Sequence, residues 1–309
     1  MNDDFKLVKI YTIPLFGFDG CFSPDNKYAY GAHGIDNRTI RKLRIATGHV
    51  SDLVQLPAGS DIVSNLSCNQ SGTDLFFATY NEIELAYQIL RCQISSGKLT
   101  VQYQQKQSNP EFSFMNVTMR HNCAIIYEGF TNYTKLSIRT LDDNRTIFTK
   151  LFRAGFWLDF MRVRFSSRYI AVPLDEKIKI YDYSGRNVNT FKLPAKVENV
   201  LFLLDEKYFV CTTYNSDSVM ATFYILNFHT GDIINEVNLG DMYVVDLHLS
   251  PSGQNVFIDG NDFLFYNIPT GQMLTFSKKL VATLNSIVSD DLNYILVGNT
   301  ISNILWKVV

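Results

Sequence analysis

The sequence predicts an all-β fold: a seven-bladed β-propeller of four-stranded antiparallel blades, forming one domain over residues 1–309. Three observations predict it. A strand–turn–strand pattern returns seven times, no window of a dozen residues shows helical spacing with caps, and the two ends offer complementary strands. Units that cannot bury an apolar face alone must stack on their neighbours, and a ring of such units has no free end.

Blade one reads clearly. Phe22-Ser23-Pro24-Asp25-Asn26 makes a turn, Tyr28-Ala29-Tyr30 a second strand, residues 40–45 a third, and Thr47-Gly48 the next turn. Blade six repeats it with Leu249-Ser250-Pro251-Ser252-Gly253, residues 256–258, residues 263–268 and Thr270-Gly271. The other copies are more eroded. Their turns are Asn69-Gln70-Ser71-Gly72 in blade two, His121-Asn122 in three, Phe165-Ser166-Ser167 in four, Asp205-Glu206 in five and Ser289-Asp290-Asp291 in seven. The last apolar residues before these turns are Phe22, Cys68, Met119, Phe165, Leu203, Leu249 and Val288. Their spacing of 38 to 51 residues brackets the length of a four-stranded blade. Gly and Asn supply positive φ in the turns, and Asp or Ser bonds its own backbone there. Alternation in Ile178-Lys179-Ile180-Tyr181 has the period of a strand.

Blade seven ends after its third strand, at Ile304-Leu305-Trp306-Lys307-Val308, while residues 5–11 form an orphan strand ahead of blade one. Pairing the two closes the ring and removes the open edges. Two stacked β-sandwiches are the competing architecture, and they explain neither the period nor the matching ends.

Composition narrows the class. An apolar fraction of 46% is enough to offset the entropy of ordering the chain. A net charge of −2 predicts no general attraction to nucleic acid. No run approaches the roughly 20 apolar residues of a membrane helix, and the start, Met1-Asn2-Asp3-Asp4, lacks a signal-peptide pattern. Cys21, Cys68, Cys92, Cys123 and Cys211 are odd in number and scattered among apolar strands. Free, buried thiols in a reducing compartment are expected, and with them an intracellular location, cytoplasmic or nuclear.

The chain resembles the WD-repeat propellers and, more weakly, the lactonase-type propellers. Phe22-Ser23-Pro24-Asp25, Leu249-Ser250-Pro251-Ser252-Gly253, Tyr181-Asp182 and the Thr-Gly turns carry the resemblance over nearly the whole chain. The signature is worn: the Trp-Asp positions read Leu43-Arg44, Cys92-Gln93, Ile138-Arg139, Tyr181-Asp182, Leu226-Asn227, Tyr266-Asn267 and Trp306-Lys307. The resemblance implies a scaffold without catalytic activity; no cofactor is expected.

No phosphate-binding Gly-rich loop, zinc spacing, HExxH, GxSxG or Cys-x-x-Cys occurs. Asp246 and His248 share one face of blade six's inner strand. They read either as an acid/base or metal pair lining the channel, or as a hydrogen-bonded pair supporting it. Asp159 and Arg162 on blade four read the same two ways.

Charge is uneven along the chain. Residues 135–196 hold thirteen Lys/Arg against six Asp/Glu, whereas residues 197–309 hold four against twelve. Arg153, Arg162, Arg164 and Arg168 form the densest basic group, with a second of Arg38, Arg41, Lys42 and Arg44 on blade one. They read as a docking face for an acidic protein segment, RNA or anionic lipid, or as ordinary solvated strands. Trp157 reads as a binding anchor beside the first group or as core. The expected function is a non-catalytic protein–protein interaction scaffold within a multiprotein complex. The alternatives are a lactonase-type enzyme acting at the central channel and a nucleic-acid-associated subunit.

Overall fold

The computed structural model describes residues 7–14, 16–32, 38–108, 110–120, 122–153, 162–275, 285–298 and 302–309. Its regular elements there are all strands, arranged as seven antiparallel sheets in chain order. Blade one comprises Phe18–Phe22, Tyr28–Ala32, Thr39–Arg44 and His49–Gln55, counted from the innermost strand outward. Blade six has the same plan in Val244–Leu249, Asn255–Gly260, Phe263–Asn267 and Gln272–Thr275.

Ring closure runs through blade seven. Its three late strands, Asn285–Val288, Tyr294–Gly298 and Ser302–Val308, take Leu7–Pro14 as their outer strand. Leu7 lies opposite Val308 and Lys9 opposite Trp306, so the first and last segments share one ladder. The strand extends past residue 11, reaching Pro14 against Ser302, and Ile13 is buried.

Every seam between blades is apolar. Seven clusters of buried side chains lie one to a seam among the described residues. Ile13, Phe22 and Leu43 meet Ile287 and Leu305 where blade seven joins blade one. Trp306 packs with Phe257 and Phe265 between blades six and seven. Strand alternation produces this layering, because each middle strand turns successive side chains to opposite neighbours.

The turns after the innermost strands repeat one device. Ser23 Oγ accepts the Tyr28 N–H at 3.0 Å and donates to Asp25 Oδ1 at 2.7 Å. Ser289 does the same with Tyr294 and Asp291 at 2.9 and 2.7 Å. Ser250 accepts the Asn255 N–H at 3.0 Å, and Asn69 Oδ1 accepts that of Asp74 at 3.1 Å. The hydroxyl bond with Ser23 and the backbone bond at Lys27 lower the Asp25 pKa to about 2. The five cysteines are free thiols, three of them buried.

The inner strand of blade two departs from the regular plan. It splits into Ser60–Ile62 and Ser67–Cys68, both pairing with Asp74–Asn81. Asn65, in the gap, uses its side chain where a strand would use backbone. It takes the Met119 N–H at 2.7 Å and donates to the Met119 carbonyl at 2.8 Å, tying blade two to blade three.

Candidate functional site

The innermost strands and turns of every blade but the fifth line a cavity of about 670 Å³, with polar and apolar groups mixed. Period-two alternation puts polar residues there: in blade three's inner strand, Phe112–Arg120, Thr118 and Arg120 face inward. In blade six a register irregularity between Val244 and Asp246 precedes the inward-facing Asp246 and His248. Similar irregularities occur near the start of the inner strands of blades one, three and five. Bulges of this kind re-aim side chains, and here they set which polar groups meet on the axis.

Asp246 is the hub. Its Oδ2 accepts from Arg120 Nη2 at 2.5 Å, and its Oδ1 accepts from Arg164 Nη2. One carboxylate thus clasps blade six to blades three and four across the channel. Arg164 is 3% exposed, Arg120 17% and Asp246 19%, so the attraction is poorly screened. Burial alone would raise the Asp246 pKa; the two guanidiniums and His248 outweigh it and hold the carboxyl well below the usual range. His248 Nε2 stands 4.0 Å from Asp246 Oδ2. Among the described residues no group of three His, Cys, Asp or Glu is placed to hold a metal ion.

A second carboxylate, Asp259, lies on the strand beside Asp246 and directly opposite it in register. It is 4% exposed and accepts a hydrogen bond from Ser286 Oγ on blade seven. Burial raises its pKa to about 7, opposed by the Ser286 bond and assisted by the charge of Asp246. Near neutrality Asp246 is therefore ionised while Asp259 is partly protonated, because among the described residues the two guanidiniums pair with Asp246 and not with Asp259.

The densest predicted basic group does not form one surface. Arg164 points into the clasp, and Arg162, 12% exposed, pairs with the buried Glu198 of blade five at 2.7 Å. Arg168 is 62% exposed and pairs with Glu206 in the turn of blade five. Arg153 is exposed at the end of blade three's outer strand, Thr146–Arg153, on the opposite face from the turn that holds Arg168. Trp157 and Asp159 lie outside the described residues.

The blade-one group is partly engaged with its own sheet. Arg41 Nε meets Asp52 Oδ1 at 3.1 Å, and Lys42 Nζ sits 3.9 Å from the centre of the Tyr28 ring. Arg44 is exposed opposite His49, and Arg38 is half-buried before Thr39–Arg44.

Arg120, Asp259 and Asn65 escaped the sequence reading. The alternation of Asn116, Thr118 and Arg120 with Met115, Val117 and Met119 is the signal that could have placed Arg120 on the axis. Nothing local to Asp259 or Asn65 names its partner.

No protein-family model matches the chain, and a search of curated proteins gives no relative. Solved structures do match. A chain of the crystal structure of a mitotic checkpoint complex aligns with a TM-score of 0.70 at 12% identity, covering 99% of this chain and 94% of that one. The likeness is one of fold. Together with the seven sheets it shows the fold, a seven-bladed β-propeller.

Proposed function

We propose that this chain is a non-catalytic protein-interaction scaffold and one subunit of a multiprotein assembly. The observation that carries this reading is how the axial charges are used. Arg120 and Arg164 both pair with Asp246 and so tie blades three, four and six together, while the turns and loops of seven blades form two broad faces. A rigid ring presenting many loops suits docking of other chains. The similar solved chain, itself part of a complex, agrees with it.

Affinity purification of the tagged protein from its native cell, followed by mass spectrometry, tests the proposal. Co-purification of defined partner proteins in fixed ratio is expected. Recovery of the chain alone, together with turnover of a lactone by the pure protein, would replace the scaffold with an enzyme acting at the channel.

Two exposed arginines distinguish the faces a partner could use. Arg153 stands at the end of an outer strand, whereas Arg44 ends a third strand on the opposite face. An acidic partner segment docked electrostatically should be lost with Arg153→Glu or with Arg44→Glu, but not with both singly. Full retention by each variant would discard an electrostatic contact at these positions. Loss of bound RNA instead of protein would favour the nucleic-acid reading.

A further inference from the structure

Two carboxylates sit side by side on blade six, yet their surroundings differ in kind. Asp246 has a guanidinium on each oxygen. Asp259, across the ladder from it, has among the described residues one hydroxyl, Ser286 Oγ, and that hydroxyl belongs to the innermost strand of blade seven. The groups facing Asp259 can be named strand by strand. Asp246 and His248 face it from the inner strand of blade six, and Phe263 lies opposite in the third strand. Ser286 faces it from blade seven, and Asp19 lines the same cavity from blade one. The guanidiniums of Arg120 and Arg164 are turned to Asp246.

We propose that Asp259 is a proton-operated latch on the seam between blades six and seven: the Ser286 hydroxyl bond by itself favours the ionised form, but burial beside Asp246 outweighs it, so the seam is tight when Asp259 is protonated and looser when it ionises. A protonated Asp259 accepts from Ser286 with no charge to bury and no repulsion from Asp246. Once ionised, it places a second negative charge beside Asp246 at a position only 4% exposed, with the Ser286 hydroxyl as its hydrogen-bond support among the described residues. The folded-state value near 7 agrees with this geometry. The folded seam binds a proton that an opened seam releases, so acid favours the closed form. Opening becomes easier as pH rises from the ordinary carboxylate range toward 7, then levels off. The blades-three-and-four clasp keeps its charge throughout, so the change is confined to the side of the ring where blade seven closes it. The proposal stands apart from the scaffold reading.

Hydrogen exchange on the full chain tests it, read at the backbone amides of residues 286–288 and 256–259 and corrected for intrinsic exchange. Between pH 5 and 7 protection of the wild type should fall by up to about tenfold per pH unit, then stay level to pH 8. Asp259→Asn should remove that slope, and His248→Gln should keep it. Equal slopes in wild type and Asp259→Asn would overturn the latch, as would loss of the slope in His248→Gln alone. A carbon-13 carboxyl titration of the wild type decides the matter should Asp259→Asn fail to fold. A midpoint near 7 supports the latch, and a midpoint in the ordinary carboxylate range ends it.

Discussion

Asp246 stands between two guanidiniums that have little water around them, so its charge matters to both. Replacing it with Asn would take from Arg120 and Arg164 the carboxylate that they share. Breaking a buried pair from one side costs about 3–5 kcal/mol, and urea unfolding should show a loss of that size for Asp246→Asn. Arg168→Ala removes a pair whose arginine is 62% exposed, and the same measurement should register less than about 1 kcal/mol. The pH dependence follows from signs. Asp246 is depressed in the fold, so its contribution is full above the ordinary carboxylate range and is lost as acid drives the pH down through its folded value. Asp259 is raised, so it acts in the opposite sense and weakens the fold as pH climbs toward 7. The sequence showed that Asp246 and His248 share a face, because alternation within one strand is local. It did not show Arg120 as the partner, which lies 126 residues away and meets Asp246 only when the ring closes.

At the scale of strands and turns, close backbone approach fixes where side chains cannot be. Gly260 ends the second strand of blade six, and a Cβ built there would lie 2.2 Å from the Tyr243 carbonyl oxygen and 2.7 Å from Met242 Cε. The methionine can swing aside; the carbonyl belongs to backbone leading into the inner strand and cannot. Gly260→Ala should therefore destabilise the protein by about 1–3 kcal/mol, read from the shift in urea midpoint at unchanged slope. Middle strands and Ser-Pro-Asp or Thr-Gly turns were legible in the sequence, since alternation and turn chemistry are local signals. The split inner strand of blade two was not legible. Its gap is stabilised by Asn65 on Met119, a contact with the next blade that no short window contains. The basic group was misleading for a related reason. Counting charge along residues 135–196 locates a sector of the ring, but Arg164 turns to the axis while Arg153 and Arg168 end at opposite faces.

For the molecule as a whole, the two ends of the chain hold one blade together. Leu7–Pro14 covers the edge of Ser302–Val308, and without it that strand would present unpaired backbone groups to other molecules. Deleting residues 1–14 should lower the unfolding midpoint and promote association, measured by light scattering. A covalent lock offers a sharper check. Val8 and Lys307 are paired in the ladder and both are exposed, so their side chains leave the same side of the sheet. Paired residues on antiparallel strands have Cα atoms about 4.5–5.5 Å apart, within the span of a disulfide. Val8→Cys with Lys307→Cys should cross-link under mild oxidation, giving a faster-migrating band in denaturing gels that reverts on reduction. The bridge would close a loop of nearly the whole chain, for which lost chain entropy predicts about 6 kcal/mol, less any strain in the native geometry. Oxidised protein should thus unfold at clearly higher urea than the same protein reduced, while the native thiols remain titratable after unfolding. Cross-links only between separate molecules would mean that the ring is closed by some other pairing, and the axial clasp would then need a different frame to hold it.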